Sequence, residues 1–457
     1  MSYKSFGMRY YLRELWRSKM GKAGIILIII FFIISLLSSI VVPPTLYSEW
    51  LSGTGFLTNP QSAPPIWYSL FNPSVYFSSQ EIYGNFRLFQ IIPISSNQTI
   101  YIYIDNFNFN WDKDVPPSDV YFILKFNSSP STISITWIKP SGNNLTINVP
   151  PNLFNTQFDL ISVQSTIVNF ISEETGSTPT YVLTQTLAKA LFNQDGKSLL
   201  DNPVQKGNYN IEIIITSTTP LSTIQNKIIL VGTAYGLMGT DFFGRPIDLG
   251  ILIGLGPALL IGSLTSVVSV VIGVLVGGIS GYLGGKKDDV IQWVILVFLA
   301  LPALPFLVAV SFVYKPDLII ESLLIAFLSW PFYAIIARST ALSIRSQTFV
   351  EADKVLGIPA RRIFFTHFIP RLIPFATAYM ALGIPAAIIL SQTLAFIGIE
   401  PAGIITWGKI LSDAEAYQAA VNGWWWWIVF PGAAIVIVSL PFVLVGLALE
   451  KIIYGGR

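Results

Sequence analysis

The sequence contains no cysteine and a single histidine. The absence of cysteine excludes a disulfide framework, a thiolate metal site and a cysteine nucleophile, and one histidine leaves little room for a His-based metal site or triad. Charge is scarce too, because only 11% of the 457 residues are charged and the formal net charge is +2. This composition argues against a disordered chain and against a nucleic-acid partner. A hydrophobic share of 52% is too high for a soluble enzyme of this size and indicates an integral membrane protein.

Six apolar stretches are each long enough to cross a bilayer as a helix. They are residues 24–42, 251–283, 290–313, 318–337, 374–397 and 425–449. The first stretch has no charge and ends at Pro43-Pro44. A cleaved signal peptide is the alternative, but the stretch is long for one and no A-x-A-like cleavage site follows it. We therefore predict an α-helical membrane protein with six transmembrane helices, the first of them retained.

Lysine and arginine are distributed unevenly between these stretches. With a cytoplasmic N-terminus, the inside segments are 1–23, 284–289, 338–373 and 450–457, and they hold 16 of the 27 basic residues. Basic residues concentrate on the cytoplasmic side of membrane proteins. We therefore predict a multi-pass protein of the cell membrane, in contact with lipid, with both termini cytoplasmic and residues 43–250 extracellular.

Residues 43–238 differ in composition from the spans on either side. Polar residues alternate with β-branched and aromatic residues in five segments, which is the pattern of half-buried strands. These segments are 99–105, 120–126, 132–138, 144–149 and 209–216, whereas 180–192 favours a helix. We predict an extracellular, β-rich, sandwich-like domain over 43–238. It is inserted between a basic tail with the first transmembrane helix (1–42) and a five-helix membrane part (239–457).

Three N-x-[ST] sequons lie in this inserted segment, at Asn97, Asn127 and Asn144. A polar, Asn-rich stretch yields a few sequons by chance, yet none falls in a predicted span or inside loop. We expect surface positions, open to N-glycosylation if the organism glycosylates.

The longest inside loop between spans, residues 338–373, has the most informative spacing. Residues 348–356 favour a short helix in which Val350, Val355 and Leu356 share an apolar face. Gly357 is predicted to end this helix and Pro359 to begin a second short one. An apolar face on an inside loop indicates a protein partner.

This loop resembles the EAA loop of ATP-binding-cassette (ABC) importer permeases. That motif has Gly six, His sixteen and Pro nineteen residues after its Glu. The matching positions here are Glu351, Ala352, Gly357, His367 and Pro370. Two positions depart from the pattern: Asp353 replaces the second Ala, and Arg371 follows the Pro where the family often has Asn.

Further motifs resemble the C-type permeases of dipeptide, oligopeptide and nickel importers. Before the second span, the stretch G-T-D-x-x-G-R is matched by Gly239, Thr240, Asp241, Gly244 and Arg245. A G-Y-x-G-G-x-x-D turn is matched at 281–288, with shorter matches at 299–302, 396–398 and 407–408. The resemblance covers 239–457 and the first span, and it implies the type I ABC importer permease fold. Typical members have only a short loop where 43–238 stands.

The resemblance implies a permease subunit that forms half of the translocation pathway for oligopeptides or dipeptides. Its implied partners are a second homologous permease, two cytoplasmic ATPases and an extracellular substrate-binding protein. The chain lacks a G-x-x-x-x-G-K-[ST] phosphate loop, so ATP and Mg would be bound by the ATPases. We expect no catalytic residue, metal or cofactor in the chain itself, which is therefore not an enzyme.

The resemblance also implies roles within the loop. Glu351 is a candidate for an ion pair or a helix-end cap at the ATPase contact, and Gly357 allows the turn. His367 either orients the loop through a hydrogen bond to the backbone or contacts the ATPase directly.

The residues of the fifth span do not decide between peptides and oligosaccharides as substrates. Many relatives carry a Glu five residues before the Phe-x-Gly of that span, where this chain has Ser391, followed by Gln392 and Thr393. A passage lined by these three side chains fits neutral substrates such as oligosaccharides at least as well as peptides. Alternatively, the three residues join helices by hydrogen bonds.

Two other classes of function fit less well. An ion-coupled secondary transporter is disfavoured because the spans after the first have almost no ionisable residues, apart from Glu321 near an outer end. One span is enough to anchor an adhesin or receptor domain in the membrane, so this function would leave the five further spans unexplained.

Overall fold

The computed structural model describes residues 8–95, 98–175, 184–197, 203–314 and 316–454. The chain divides into two compact units. One, the membrane unit, comprises Met1–Ser52 and Leu249–Arg457, and the other, the β unit, comprises Gly53–Asp248. The apolar stretches of the sequence lie in the first unit and the alternating segments in the second.

Three helices precede the β unit: α1 (Met8–Arg17), α2 (Lys19–Val41) and α3 (Pro44–Ser52). Ser18 caps α2, since its Oγ accepts a hydrogen bond from the Gly21 N–H at 2.9 Å. The helix ends just before Pro43-Pro44, because the residue before a proline is driven away from helical geometry. The first predicted span therefore exists as a helix and begins five residues earlier than predicted.

The β unit consists of two antiparallel sheets. One has the strand order β1-β9-β4-β7, and the other has the order β2-β3-β8-β5-β6. The strands are β1 Gln80–Tyr83, β2 Arg87–Ser95, β3 Gln98–Trp111, β4 Asp119–Phe126, β5 Thr132–Ile138, β6 Asn144–Asn148, β7 Gln157–Phe158, β8 Gly207–Ser217 and β9 Thr223–Val231. Two helices, α4 (Gln164–Thr175) and α5 (Thr184–Phe192), belong to the same unit.

The core of the β unit is shared between the sheets and both helices. Alternate side chains of β5 and β8 are buried, as the period-two pattern predicts. They pack in one cluster with Phe122 of β4, Ile228 of β9 and Phe192 of α5. This arrangement confirms the β-rich, sandwich-like fold class.

Several elements of the β unit were not predicted. They are β1, β2, β7, β9 and α4. β9 was not predicted because its first half is exposed and only its second half is buried, so it lacks the alternation of buried and exposed residues. The predicted helix 180–192 is present from Thr184, and residues 180–183 lie outside the described residues.

The described part of the membrane unit continues with nine further helices. They are α6 Ile247–Leu283, α7 Gly285–Ala300, α8 Ala303–Tyr314, α9 Leu318–Arg345, α10 Thr348–Val355, α11 Ala360–Ile363, α12 Ile369–Phe396, α13 Trp407–Ala416 and α14 Trp425–Tyr454. A π-helical turn, Phe364–Phe368, joins α11 to α12. Within the described residues, five helices are long and apolar enough to span a membrane, and the bent pair α7–α8 makes a sixth. The predicted helical membrane fold is confirmed, with five spans or, if the bent pair is one span, the predicted six.

Two predicted boundaries in this unit are wrong. The third span was expected as one helix over 290–313, but α7 and α8 meet at an angle of 74°. The break falls at Leu301-Pro302, because proline cannot donate the backbone hydrogen bond that would continue α7. The fourth span, α9, continues to Arg345. The connection between the fourth and fifth spans is therefore residues 346–359 rather than 338–373.

Candidate functional site

The connection after α9 consists of one short helix and a tight turn. α10 ends at Val355, and the turn that follows contains Gly357, whose φ of +73° favours glycine. The turn is closed by backbone hydrogen bonds from Gly357 N–H to Lys354 O at 3.1 Å and from Ile358 N–H to Asp353 O at 3.0 Å. The predicted second short helix is instead the first turn of the continuous helical segment 360–396.

The apolar residues of α10 do not share one face, contrary to our prediction. Val350 is fully buried and packs with Ile344 of α9 and Phe368 of the π turn. Val355 and Leu356 are 88% and 77% exposed. Five residues of helix turn the side chain by about 140° from its starting direction, so Val350 and Val355 face different ways. Val350 therefore anchors α10, and the end of the helix projects an apolar pair into the surroundings.

Glu351 and Ala352 are exposed beside this pair, and so is Gly357. We call these residues, Glu351, Ala352 and 355–357, the exposed tip. Glu351 lies in the first turn of α10, where the partial positive charge of a helix N-terminus stabilises an acid. Pro370, also exposed, stands at the start of α12.

His367 lies against Asp353, with 2.7 Å between Nε2 and Oδ2. The two atoms lie within ion-pair distance but are not aligned as a regular hydrogen bond. Of the two alternatives for His367, no backbone hydrogen bond from its side chain is present among the described residues, and the ATPase contact stays a prediction. Asp353, the residue that replaces the second Ala of the motif, supplies the partner.

Arg371, the other departure from the motif, belongs to the same cluster. Its guanidinium lies 4.4 Å from the ring centroid of Phe349, and its Nη1 donates to the backbone oxygen of His367 at 2.9 Å. The Phe349 ring in turn contacts the imidazole of His367 at 5.2 Å between centroids. Both departures therefore fasten α10 to the start of α12.

The motif that begins at Gly239 belongs to the β unit and is buried. Arg245 Nε donates to Asp241 Oδ2 at 2.5 Å, and the backbone N–H groups of Phe243 and Arg245 donate to Oδ1 at 2.9 Å each. Burial raises the pKa of Asp241, and the attraction of Arg245 opposes that shift. A carboxylate enclosed in this way holds a turn together.

The remaining residues of that motif complete the turn. The Thr240 hydroxyl donates to Pro60 O at 2.6 Å and accepts from Ala63 N–H at 2.9 Å. Gly239 and Gly244 have φ of +79° and +73°, which a residue with Cβ rarely adopts. The motif therefore organises the backbone just before α6.

Asp288, the acid of the G-Y-x-G-G-x-x-D turn, joins α7 to α9. It accepts hydrogen bonds from Arg338 Nε and Nη2 at 2.7 Å each, and also one from the Ser280 hydroxyl. Such a two-point arginine contact is among the strong hydrogen-bonded pairs in proteins.

Ser391, Gln392 and Thr393 point to three different partners rather than to a common passage. Ser391 Oγ donates to Glu321 Oε1 at 2.7 Å, and Gln392 Oε1 accepts from Gly408 N–H at 2.7 Å. Thr393 bonds back to its own helix. The first two therefore join α12 to α9 and α13, which favours the alternative that they hold helices together.

Glu321 belongs to the site, although the sequence alone indicated only that it is an ionisable residue near the outer end of a span. The side chain is 4% exposed and lines a cavity of roughly 340 Å³. The resemblance places a carboxylate at the position of Ser391 in many relatives; here the carboxylate of Glu321 reaches Ser391 from α9. The signal for it in the sequence is an acid in the first turn of an apolar span.

Two of the three sequons can be located. Asn127 and Asn144 are exposed, and Asn127 Oδ1 accepts a hydrogen bond from Ser222 N–H at 2.8 Å. Asn97 lies outside the described residues. Glycosylation stays a prediction.

The apolar spans and the anchored loop between α9 and α12 define a multi-span membrane protein. The family model for "Binding-protein-dependent transport system inner membrane component" matches residues 269–455. The chain belongs to this family. The family model leaves residues 1–268, and with them the β unit, unmatched.

Similar proteins carry related names. The oligopeptide transport system permease protein OppC of Haemophilus influenzae is 32% identical over 200 residues, which is 43% of this chain and 63% of that protein. The probable D,D-dipeptide transport system permease protein DdpC of Escherichia coli is 32% identical over 46% of this chain and 69% of its own length. The dipeptide transport system permease protein DppC of Alkalihalophilus pseudofirmus is 29% identical over 51% of this chain and 76% of its own length. The chain thus spans less than two thirds of the Haemophilus relative.

Proposed function

We propose that this chain is the permease subunit of an ATP-driven importer and forms half of a translocation pathway for oligopeptides or dipeptides. Its partners would be a second homologous permease, two cytoplasmic ATPases that bind ATP and Mg, and an extracellular binding protein. The names of the relatives support peptides over the oligosaccharides that Ser391 and its neighbours left open. The exposed tip carries the proposal.

The exposed tip has the properties of a docking element. Val355 and Leu356 are apolar and project outward, which is costly in water and favourable in the cleft of a partner. Glu351 adds a negative charge beside them. A cytoplasmic ATPase with an apolar cleft and a basic rim would bind this combination.

The base of the same helix is built to transmit force. Val350 is buried against α9 and the π turn, and Asp353 pairs with His367 of that turn, which leads into α12. Movement of the exposed tip would therefore shift α9 and α12 rather than bend the loop. A permease without a phosphate loop needs such a link to the subunit that hydrolyses ATP.

Substitutions in the exposed tip test this link. We expect Glu351→Lys and Gly357→Pro to lower ATP-dependent peptide uptake at least about tenfold, because like charges at a docked contact are strongly unfavourable and proline cannot adopt φ of +73°. The ATPases should also be lost when the tagged chain is purified from its native membrane. Membrane abundance should stay unchanged, because both residues lie at the surface.

Lys451→Glu provides a matched control. It also reverses one exposed charge, in the last turn of α14, which is not part of the exposed tip. Uptake and ATPase recovery should be normal in this control. Normal uptake in both tip variants, or a transport-competent assembly without any ATPase, would contradict the proposal.

A further inference from the structure

A cavity lies at the end of the membrane unit where α8 leads into α9. Its volume is roughly 340 Å³. Its wall includes Ser311, Phe312, Pro316, Glu321 and Leu394, together with residues 398–402 of the segment after α12. Among the lining residues that the structure describes, Glu321 and Glu400 are the titratable ones. We call it the Glu321 cavity.

The two acids of the Glu321 cavity differ in their partners. Glu400 Oε1 lies 3.2 Å from Lys409 Nζ, which also lies 3.1 Å from Asp413 Oδ1. Glu321 has no cation within ion-pair distance in the described part of the chain. Its Oε1 accepts from Ser391, while its Oε2 is buried and has no hydrogen-bond donor among the described residues.

A buried carboxylate with one unsatisfied oxygen needs a donor, and the best donor is positively charged. Removal from water destabilises the ionised form, and a cationic N–H group that enters the cavity offsets this cost through a charge-assisted hydrogen bond. Ionisable groups within transmembrane helices, such as Glu321 in the first turn of α9, often mark the route of a transported species. The hydrogen bond from Ser391 holds the carboxylate in place for such a contact.

We propose that Glu321 binds the ammonium group of a transported peptide in the Glu321 cavity. This inference rests on the proposed peptide importer and specifies the part of the substrate that the permease recognises. A metal ion fits less well, because no group of three or more His, Cys, Asp or Glu side chains converges among the described residues. The volume is near the lower limit for small-molecule pockets, about 300 Å³, so it accommodates one end of a peptide rather than the whole.

The test compares Glu321→Gln with wild type in the complete importer, reconstituted into liposomes with ATP and its binding protein. Three peptides of otherwise equal sequence are supplied at concentrations that saturate the binding protein: one with a free amino end, one acetylated there, and one acetylated with Lys as its first residue. Because the same binding protein delivers each peptide to both importers, its preference cancels in the ratio of uptake rates.

We expect Glu321→Gln to lower uptake of the free-amine peptide about tenfold more than uptake of the acetylated peptide, the loss typical of one charge-assisted hydrogen bond. An equal loss for the acetylated Lys peptide identifies a side-chain ammonium as a second source of the same group. Glutamine retains an oxygen for Ser391, so the fold should survive. Ser391→Ala, which keeps the carboxylate but removes its hydrogen bond, should give a smaller loss with the same selectivity.

Glu415→Gln is the matched control, since Glu415 is an exposed acid at the end of α13 and does not line the cavity. It should leave all three rates unchanged. Equal losses for all peptides in Glu321→Gln, or no loss at all, would overturn the inference. Failure of the wild-type importer to take up any peptide would instead refute the proposed function, before any variant is compared.

Discussion

Asp105 of β3 is a fully buried acid inside the β unit. A Cβ atom at Gly84 would lie 2.2 Å from Asp105 Oδ1, so the carboxylate packs directly against the backbone there. No well-aligned hydrogen bond to either carboxylate oxygen exists among the described residues, although the Asn226 side chain interacts with the carboxyl and partly opposes the rise of its pKa. Burial raises the pKa of Asp105 to about 6. Folding therefore favours the protonated form of Asp105 more than the unfolded chain does.

The stability of the β unit should fall as the pH rises. Because the folded-state pKa of Asp105 lies above its ordinary value of 3.8, the folded protein binds this proton more tightly than the unfolded chain. The resulting stability is fully present below about pH 4 and is lost as the pH rises through about 6, a change on the order of 3 kcal/mol. Asp119, whose pKa burial raises to about 8, extends the same trend. Exposed Glu81 and Asp114 have lowered pKa values and oppose it weakly.

Asp105→Asn measures the contribution of this single group. The soluble fragment 53–246 has its own core, and we expect it to fold alone and melt cooperatively with a β-rich circular dichroism spectrum. Between pH 4 and 7 its melting temperature should fall steeply in the wild type and less steeply in Asp105→Asn. Identical slopes would show that the carboxyl does not titrate on unfolding. A random-coil spectrum would reject an independent domain.

The sequence predicted which single residues belong to the loop but not which side chains they contact. The spacing of the EAA-like motif located Glu351, Gly357 and His367 on one loop. It could not supply the partner of His367, because Asp353 meets it only after α10 folds back against the start of α12. The contact between Glu321 and Ser391 joins residues 70 positions apart, and the packing of α9 on α12 sets it. The periodicity of apolar residues along a helix does not indicate which other helix it packs against.

At the scale of elements, α6 and α9 approach closely because α6 presents glycines. A Cβ atom at Gly277 would lie 2.0 Å from the backbone oxygen of Ala334, and one at Gly273 would lie 2.6 Å from that of Trp330. Small residues at helix contacts let backbones approach within a membrane. This contact determines the position of α9, which leads directly into α10.

We expect Gly277→Ala to destabilise the membrane unit. The added methyl must displace backbone rather than a flexible side chain, and such overpacking typically costs about 1–3 kcal/mol. Gly432→Ala is the matched control, since that glycine lies within α14 with no atom within 4 Å of an added Cβ. The control should be neutral or slightly stabilising, because alanine favours helix. Thermal unfolding of the purified protein in detergent compares the two, and equal melting temperatures would contradict the close approach.

Sequence patterns located most elements but not their interruptions. The apolar stretches gave six spans, because bilayer thickness dictates their length. They did not give the 74° bend between α7 and α8, although Pro302 marks its place. β2 was missed because Leu88, Phe89, Ile91 and Ile94 are all exposed, so it lacks the alternation of a half-buried strand.

At the scale of the whole molecule, the charge distribution predicts opposite sides of the membrane for the β unit and the exposed tip. The segments predicted to lie inside hold 16 of the 27 Lys and Arg, and the segment that contains α10 is one of the richest. The β unit carries the three sequons and a large share of the acids. If the proposed importer is correct, this arrangement exposes the β unit to the binding protein and the tip to the ATPases.

The absence of cysteine allows a direct test of this orientation. Ser141→Cys places one thiol in the exposed turn between β5 and β6, and Ser346→Cys places one just before α10, also exposed. In intact cells a membrane-impermeant maleimide should label only Ser141→Cys. Both variants should be labelled after the membrane is permeabilised, which controls for the reactivity of each thiol. Labelling of Ser346→Cys alone in intact cells would reverse the orientation, and with it the proposal that the exposed tip meets a cytoplasmic ATPase.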